Sequence, residues 1–203
     1  MSADKLASRG CGLGEVQLKS EILRSLHEDH ANQLQLLGLI EFEIKKLDKA
    51  GETPNFELIS LALEYCADYP SHYHHPKEDL IYAKLVSQDS DVANKASVLT
   101  EEHKTLTQLT RAFATAVGEA IAGDQTDKLR TSAERFIEYY RYHIGIEEAE
   151  IFPAARNTLT NEDWIEISTG FENIVDPLFG EQTRQAYLAL RRCIVERAAE
   201  KSL

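Results

Sequence analysis

HHPKED at residues 74–79 and HIGIEE at residues 143–148 each set a histidine and a glutamate four residues apart, His74 with Glu78 and His143 with Glu147. Residues at i and i+4 stand one above the other on a helix face, so each pair offers an imidazole and a carboxylate to one interior point. His30 and His103 add one more histidine on each of two other stretches of helical pattern. Protein interiors rarely hold such groups unpaired, and several of them in one narrow bundle are costly without a cation.

Working outward from these motifs, the chain from Glu15 onward is almost continuous helical pattern, broken at AGETPN (50–55), SQDSD (87–91), AGDQTD (122–127) and NTLTNED (157–163). Each break carries turn or N-cap residues. Four long helices are expected, at roughly 16–50, 55–86, 91–122 and 127–157. Links of a few residues favour antiparallel neighbours, so the expected fold is all-α, an up-down-up-down four-helix bundle with two extra C-terminal helices. Pro70 and Pro76 should kink or break the second helix just before its ligand turn. Thr160 with Asp163 reads as a capping box for a helix to about Ile174. DPLFG (176–180) breaks that helix, and a last amphipathic helix runs from Glu181 to about Ala199 with Tyr187, Leu190 and Ile194 as its stripe. The expected organisation is a flexible tail at 1–14, the bundle at 15–157 and a helical extension at 158–203.

Height tests whether the candidate ligands meet. Counted from one end of the bundle at about 1.5 Å per residue, His30, His74, His103 and His143 fall within roughly 3 Å of one level. Glu78 and Glu147 fall one turn nearer that end, close to each other. Facing is the second test. His30 shares a stripe with Leu23, Leu26, Leu34 and Leu37, and His74 and Glu78 share one with Leu63, Ala67, Ile81 and Leu85. His103 lies with Ala96, Leu99, Leu106, Thr110, Phe113 and Val117, and His143 and Glu147 lie with Phe136, Tyr140 and Ala154. These stripes place His27 nearer a flank and assign His72 and His75 to the surface or to a supporting shell. Glu148 or Glu150 replaces Glu147 only if the fourth helix is rotated, and Glu101 and Glu102 face water.

Imidazole and carboxylate without thiolate suit iron, manganese or zinc, and six protein ligands exceed what one tetrahedral zinc takes, so two metals bridged by two carboxylates fit better. No Glu-x-x-His pair of the ferritin-like type and no HExxH occurs. The three cysteines, Cys11, Cys66 and Cys193, share no close spacing, which fits a reducing cytoplasm. With 22 Lys and Arg against 34 Asp and Glu, net charge −12, and no basic block, composition argues against nucleic acid and anionic membranes. No segment reads as a signal peptide or a membrane span. The C-terminal segment with Trp164 and Phe171 carries no evident ligand chemistry. It is expected to pack over the bundle or to form a homodimer surface.

The order His30, His74-x-x-x-Glu78, His103, His143-x-x-x-Glu147, with DH at 29–30, EEH at 101–103 and HIGIEEAEIFP at 143–153, resembles the bacterial hemerythrin-like (HHE cation-binding) family over roughly residues 20–157. The resemblance implies a non-haem centre of two iron ions joined by an oxo or hydroxo bridge and two carboxylates, with those six residues as ligands. Oxygen-carrying members place a further histidine where Thr107 stands and an aspartate where Glu148 stands. The H-HxxxE-H-HxxxE pattern is closer to the di-iron repair proteins, and the missing histidine implies a more open centre. The expected ligand is a small diatomic molecule or peroxide, in oxidative or nitrosative stress or iron homeostasis. Iron donation to damaged centres and sensing of oxygen or nitric oxide are the alternatives. Tyr140, on the interior stripe, is expected either to donate to a bound oxygen species or simply to be packed.

Overall fold

The structure is a computed structural model that describes residues 8–88, 91–123, 126–170, 176–180, 183 and 185–200. It is an all-α, up-down-up-down bundle whose helices are α1 (Ser8–Lys45), α2 (Phe56–Tyr69) continued by α3 (His75–Ser87), α4 (Ala93–Ile121), and α5 (Thr126–Ile146) continued by α6 (Phe152–Thr158). Two C-terminal helices follow, α7 (Asn161–Thr169) and α8 (Leu188–Glu200). Helix α1 begins at Ser8, inside the stretch expected as a tail, and residues 1–7 lie outside the described residues. No helix among the described residues is long and apolar enough to cross a membrane.

Turn chemistry sets the helix ends. Gly51 and Gly123 adopt φ of 82° and 96°, a left-handed conformation that suits glycine at the close of a helix or turn. The Asn55 side chain accepts the Leu58 N–H and caps α2, and Thr160 and Asp163 form the expected reciprocal capping box on α7.

Pro70 and Pro76, expected to kink or break the second helix, do not end it. Both continuous helices widen instead into a π turn, Pro70–His74 between α2 and α3 and Glu147–Ile151 between α5 and α6. Each closes with an i→i+5 bond, His75 N–H to Pro70 O and Phe152 N–H to Glu147 O, and each is followed two residues later by a proline, Pro76 and Pro153. A proline lacks the N–H of the regular ladder and crowds the carbonyl four residues back, and the wider turn relieves both problems without ending the helix.

The inserted residue also slips the stripes. Counting straight through from the ligands makes Ala67 and Ala154 interior, yet Ala67 is exposed and Ala154 only half-buried. Tyr65, Cys66, Tyr69, Ile151, Phe152 and Ala155 fill the core instead. On α1 the interior position is Gln33 rather than Leu34, which is 40% exposed.

Two apolar layers sandwich the polar level. One contains Leu36, Leu37, Leu63, Tyr65, Leu106, Phe113, Phe136 and Tyr140, and the other Leu23, Leu26, Ile81, Leu85, Leu99, Phe152, Trp164 and Ile167. Helix α7 covers the second layer through Trp164 and Ile167. Helix α8 packs on the first through Leu190 and Ile194, and Tyr187 just before it joins the same layer. Helix α7 stops at Thr169, short of Ile174. Residues 171–175, 181, 182 and 184 lie outside the described residues, and α8 starts at Leu188 after a single turn at Gln185–Tyr187. Asp176 links the extension to the bundle: Oδ1 accepts the Leu178 and Phe179 N–H groups, and Oδ2 accepts the Tyr65 hydroxyl at 2.8 Å.

Candidate metal centre

All four helices of the bundle deliver a side chain to one buried level. His30 from α1, His74 from the first π turn, His103 from α4 and His143 from α5 are 2%, 1%, 7% and 1% exposed, and Glu78 and Glu147 are fully buried. Their Nε2 atoms converge on the two carboxylates. His30 Nε2 lies 3.1 Å from Glu78 and 3.2 Å from Glu147, His74 Nε2 lies 3.2 Å from Glu78, and His143 Nε2 lies 3.0 Å from Glu147. His103 Nε2 sits 3.5 Å from Glu78 and 3.7 Å from Glu147.

The opposite ring nitrogens are held by four more carboxylates, arranged as a closed ring. Asp29 on α1 accepts from His74 Nδ1 at 3.2 Å, and Asp79 on α3 accepts from His103 Nδ1 at 3.1 Å. Glu102 on α4 accepts from His143 Nδ1 at 3.0 Å, and Glu148 on the second π turn accepts from His30 Nδ1 at 2.7 Å. Each helix thus orients the imidazole of the next. With Nδ1–H donating outward, each Nε2 lone pair is free to face the centre, which is how metal-binding histidines are fixed.

The inner atoms are short of partners. Glu78 Oε2, Glu147 Oε2, His103 Nε2 and His143 Nε2 are buried without a hydrogen-bond partner among the described residues, although the nitrogens stand within 3.7 Å of carboxylate oxygens. Orphaned buried polar atoms of both kinds, aimed at shared space, fit a cation better than one another. Among the described residues, two groups of donors are compact enough to hold one, His30 with His74 and Glu78, and His75 with Glu78, His103 and His143. Glu78 belongs to both.

The electrostatics agree. Burial of the His103 ring opposes its charge, but hydrogen bonds to Asp79, Glu147 and Glu78 prevail and push it up to about 11. Burial likewise opposes charge on His143, and Glu147 and Glu102 outweigh it, raising that ring to about 9. Burial would raise Glu78 and Glu147, yet the surrounding imidazoles hold both well below the usual carboxylate range. Protons on the imidazoles supply the positive charge that these carboxylates require in the absence of metal.

His75 and Glu102 differ from expectation. His75 is 5% exposed and lies within a donor group, not at the surface. Glu102 is turned inward onto His143 rather than into water. His27 is peripheral, its Nδ1 2.5 Å from Glu148, while Glu150 pairs with Lys95 at the surface. Tyr82, passed over in the sequence, is fully buried and donates its hydroxyl to Glu147. Tyr140 is 1% exposed and its hydroxyl has no partner among the described residues; the same holds for both polar atoms of Gln33. Phe152 stacks on His30 at 5.4 Å, whereas Pro153 is exposed. Thr107 bonds back to the His103 carbonyl at 3.1 Å.

The facing of α1 and α4 yields a contrast that metal analysis checks. His103→Ala should lower metal content, and His27→Ala should leave it unchanged; equal metal retention in both would show the orientation to be wrong.

Residues 21–155 match the model of the hemerythrin HHE cation-binding domain. No curated protein and no solved structure matches the chain.

Proposed function

The chain belongs to the hemerythrin HHE cation-binding domain family, and from that premise we propose that its buried histidine and glutamate cluster is a di-iron centre that binds or reacts with dioxygen, nitric oxide or peroxide. The observation that carries this reading is the pair of donor groups sharing Glu78. His30 and His74 would hold one iron and His103 and His143 the other. Glu78 and Glu147 would bridge, since each carboxylate touches imidazoles of both sets. When bound, the iron pair supplies the redox and ligand-binding chemistry.

The chain supplies the surroundings. The carboxylate ring fixes every imidazole, Tyr82 holds Glu147 in place, and the apolar layers with Phe152 exclude water. Gln33 and Tyr140 stand one turn beyond His30 and His143 on the side away from α7, both buried with unpartnered polar atoms. The Tyr140 hydroxyl is held protonated, by burial first and then by its neighbours Cys66, Glu78, Glu147 and Asp29. A protonated hydroxyl and an amide are hydrogen-bond donors for a small oxygen-containing or nitrogen-containing ligand. Ligands so deeply buried favour a retained centre over one that donates its iron.

Anaerobically reduced, iron-loaded protein should show absorption bands that differ as dioxygen, nitric oxide and peroxide are added. An unchanged spectrum with all of them would remove the reading. Tyr140→Phe should speed ligand loss about tenfold, the worth of one hydrogen bond of about 1.4 kcal/mol, with metal content unaltered.

A further inference from the structure

We propose that His75 is a fifth imidazole ligand of this centre, completing a set of three with His103 and His143. The inference rests on the di-iron reading above and concerns which residues hold the metal. Adjacent residues of a regular helix diverge by about 100°, so His74 and His75 would not normally share an interior. Here they do, at 1% and 5% exposure, because His75 is the first residue after the π turn that ends at His74.

The His75 ring lies parallel to His103, with centroids 4.1 Å apart and planes 9° from parallel, and edge-on to His143 at 6.1 Å. A ring nitrogen of His75 and donor atoms of Glu78, His103 and His143 all lie within 4.8 Å of one another. Imidazole nitrogens beside a carboxylate are ligands for a divalent cation of the iron class. The position on α4 one turn beyond His103 is Thr107, whose hydroxyl is committed to the His103 carbonyl. His75 therefore brings from α3 the imidazole that α4 does not provide. The centre is correspondingly less open than its sequence motif implies.

His75→Phe separates ligation from packing, because phenylalanine keeps an aromatic ring against His103 and removes the nitrogens. Iron affinity by chelator competition and histidine coordination by X-ray absorption are measured on the wild type, His75→Phe, His75→Gln and the double variant His75→Phe with Thr107→His. The wild type should hold two irons. Both single variants should lower the average coordination by about half an imidazole per iron, one ligand shared over two irons, and weaken one iron about 10- to 100-fold, and Thr107→His should restore both. Unchanged affinity and histidine coordination in His75→Phe would overturn the assignment and leave His75 as a packing residue. Fewer than two irons in the wild type would instead overturn the di-iron reading on which it rests.

Discussion

Glu78→Gln is expected to release both metal ions, the largest effect of any single substitution in the chain. Glu78 is fully buried, with Oε1 3.1 Å from His30 Nε2 and 3.2 Å from His74 Nε2, and Oε2 3.5 Å from His103 Nε2. It is the one residue common to both donor groups. The amide is nearly the same size, so packing survives. It removes the negative charge and turns N–H donors toward imidazole lone pairs and cations. Metal content should fall to background, with affinity reduced more than about 100-fold. Glu150→Gln is the control, since Glu150 is exposed and pairs with Lys95, and its metal content should not change. Glu78→Gln protein that retained one or both metals would show the carboxylate to be dispensable.

Metal removal should reverse the dependence of stability on pH. In the metal-free protein the folded-state pKa values of His103 and His143 are raised to about 11 and about 9, from about 6.5 when unfolded. Their contribution is therefore complete below about pH 6.5 and is lost as pH rises through 9 and then 11. Glu78 and Glu147 are depressed, so theirs is present above about pH 4.5 and fails only as pH falls through their lowered values. His75 acts the other way, since burial and then the neighbouring His103 and His74 hold its ring well below the ordinary value and its contribution is lost as pH falls below about 6.5. The metal-free chain should thus be most stable near about pH 6.5 and weaken steadily in alkali.

Metal binding has the opposite sign, because the imidazoles must shed those protons before they ligate. The stabilisation conferred by metal should grow from pH 6 to pH 9. At a thousandfold excess over the dissociation constant each site adds about 4 kcal/mol, or roughly 8–16 °C of melting temperature for a chain of this size. Melting curves at both pH values, with and without ferrous iron under anaerobic conditions, check this. A metal-free protein equally stable at pH 6 and pH 9 would contradict the charge pattern of the site.

The four long helical stretches and the six inner ligand candidates were legible because the sequence preserves period and height. Interior histidines recur at matching distances from the breaks, and glycines or capping residues mark the ends. The π turns were not legible as such. Pro76 and Pro153 announce a disturbance, but whether a helix breaks or widens depends on packing against the other helices. That ambiguity hid His75, whose inward position follows from the wide turn, and it misplaced Ala67 and Ala154.

Gln33 was missed for another reason, since facing was judged by apolar residues and a buried amide breaks that rule. The outer carboxylates left a signal that went unread. Each adjoins an inner ligand: Asp29 precedes His30, Asp79 follows Glu78, Glu102 precedes His103 and Glu148 follows Glu147. Helices α1 and α4 run opposite to α3 and α5. A step back on one pair and a step forward on the other therefore turn the same way about the bundle, and every outer acid meets the neighbouring histidine.

The central claim is that two metals share one buried, carboxylate-bridged centre. Elemental analysis of the chain after anaerobic loading with ferrous iron and removal of free metal tests it most directly. About two irons per chain are predicted; one or none, or zinc in their place, would contradict it.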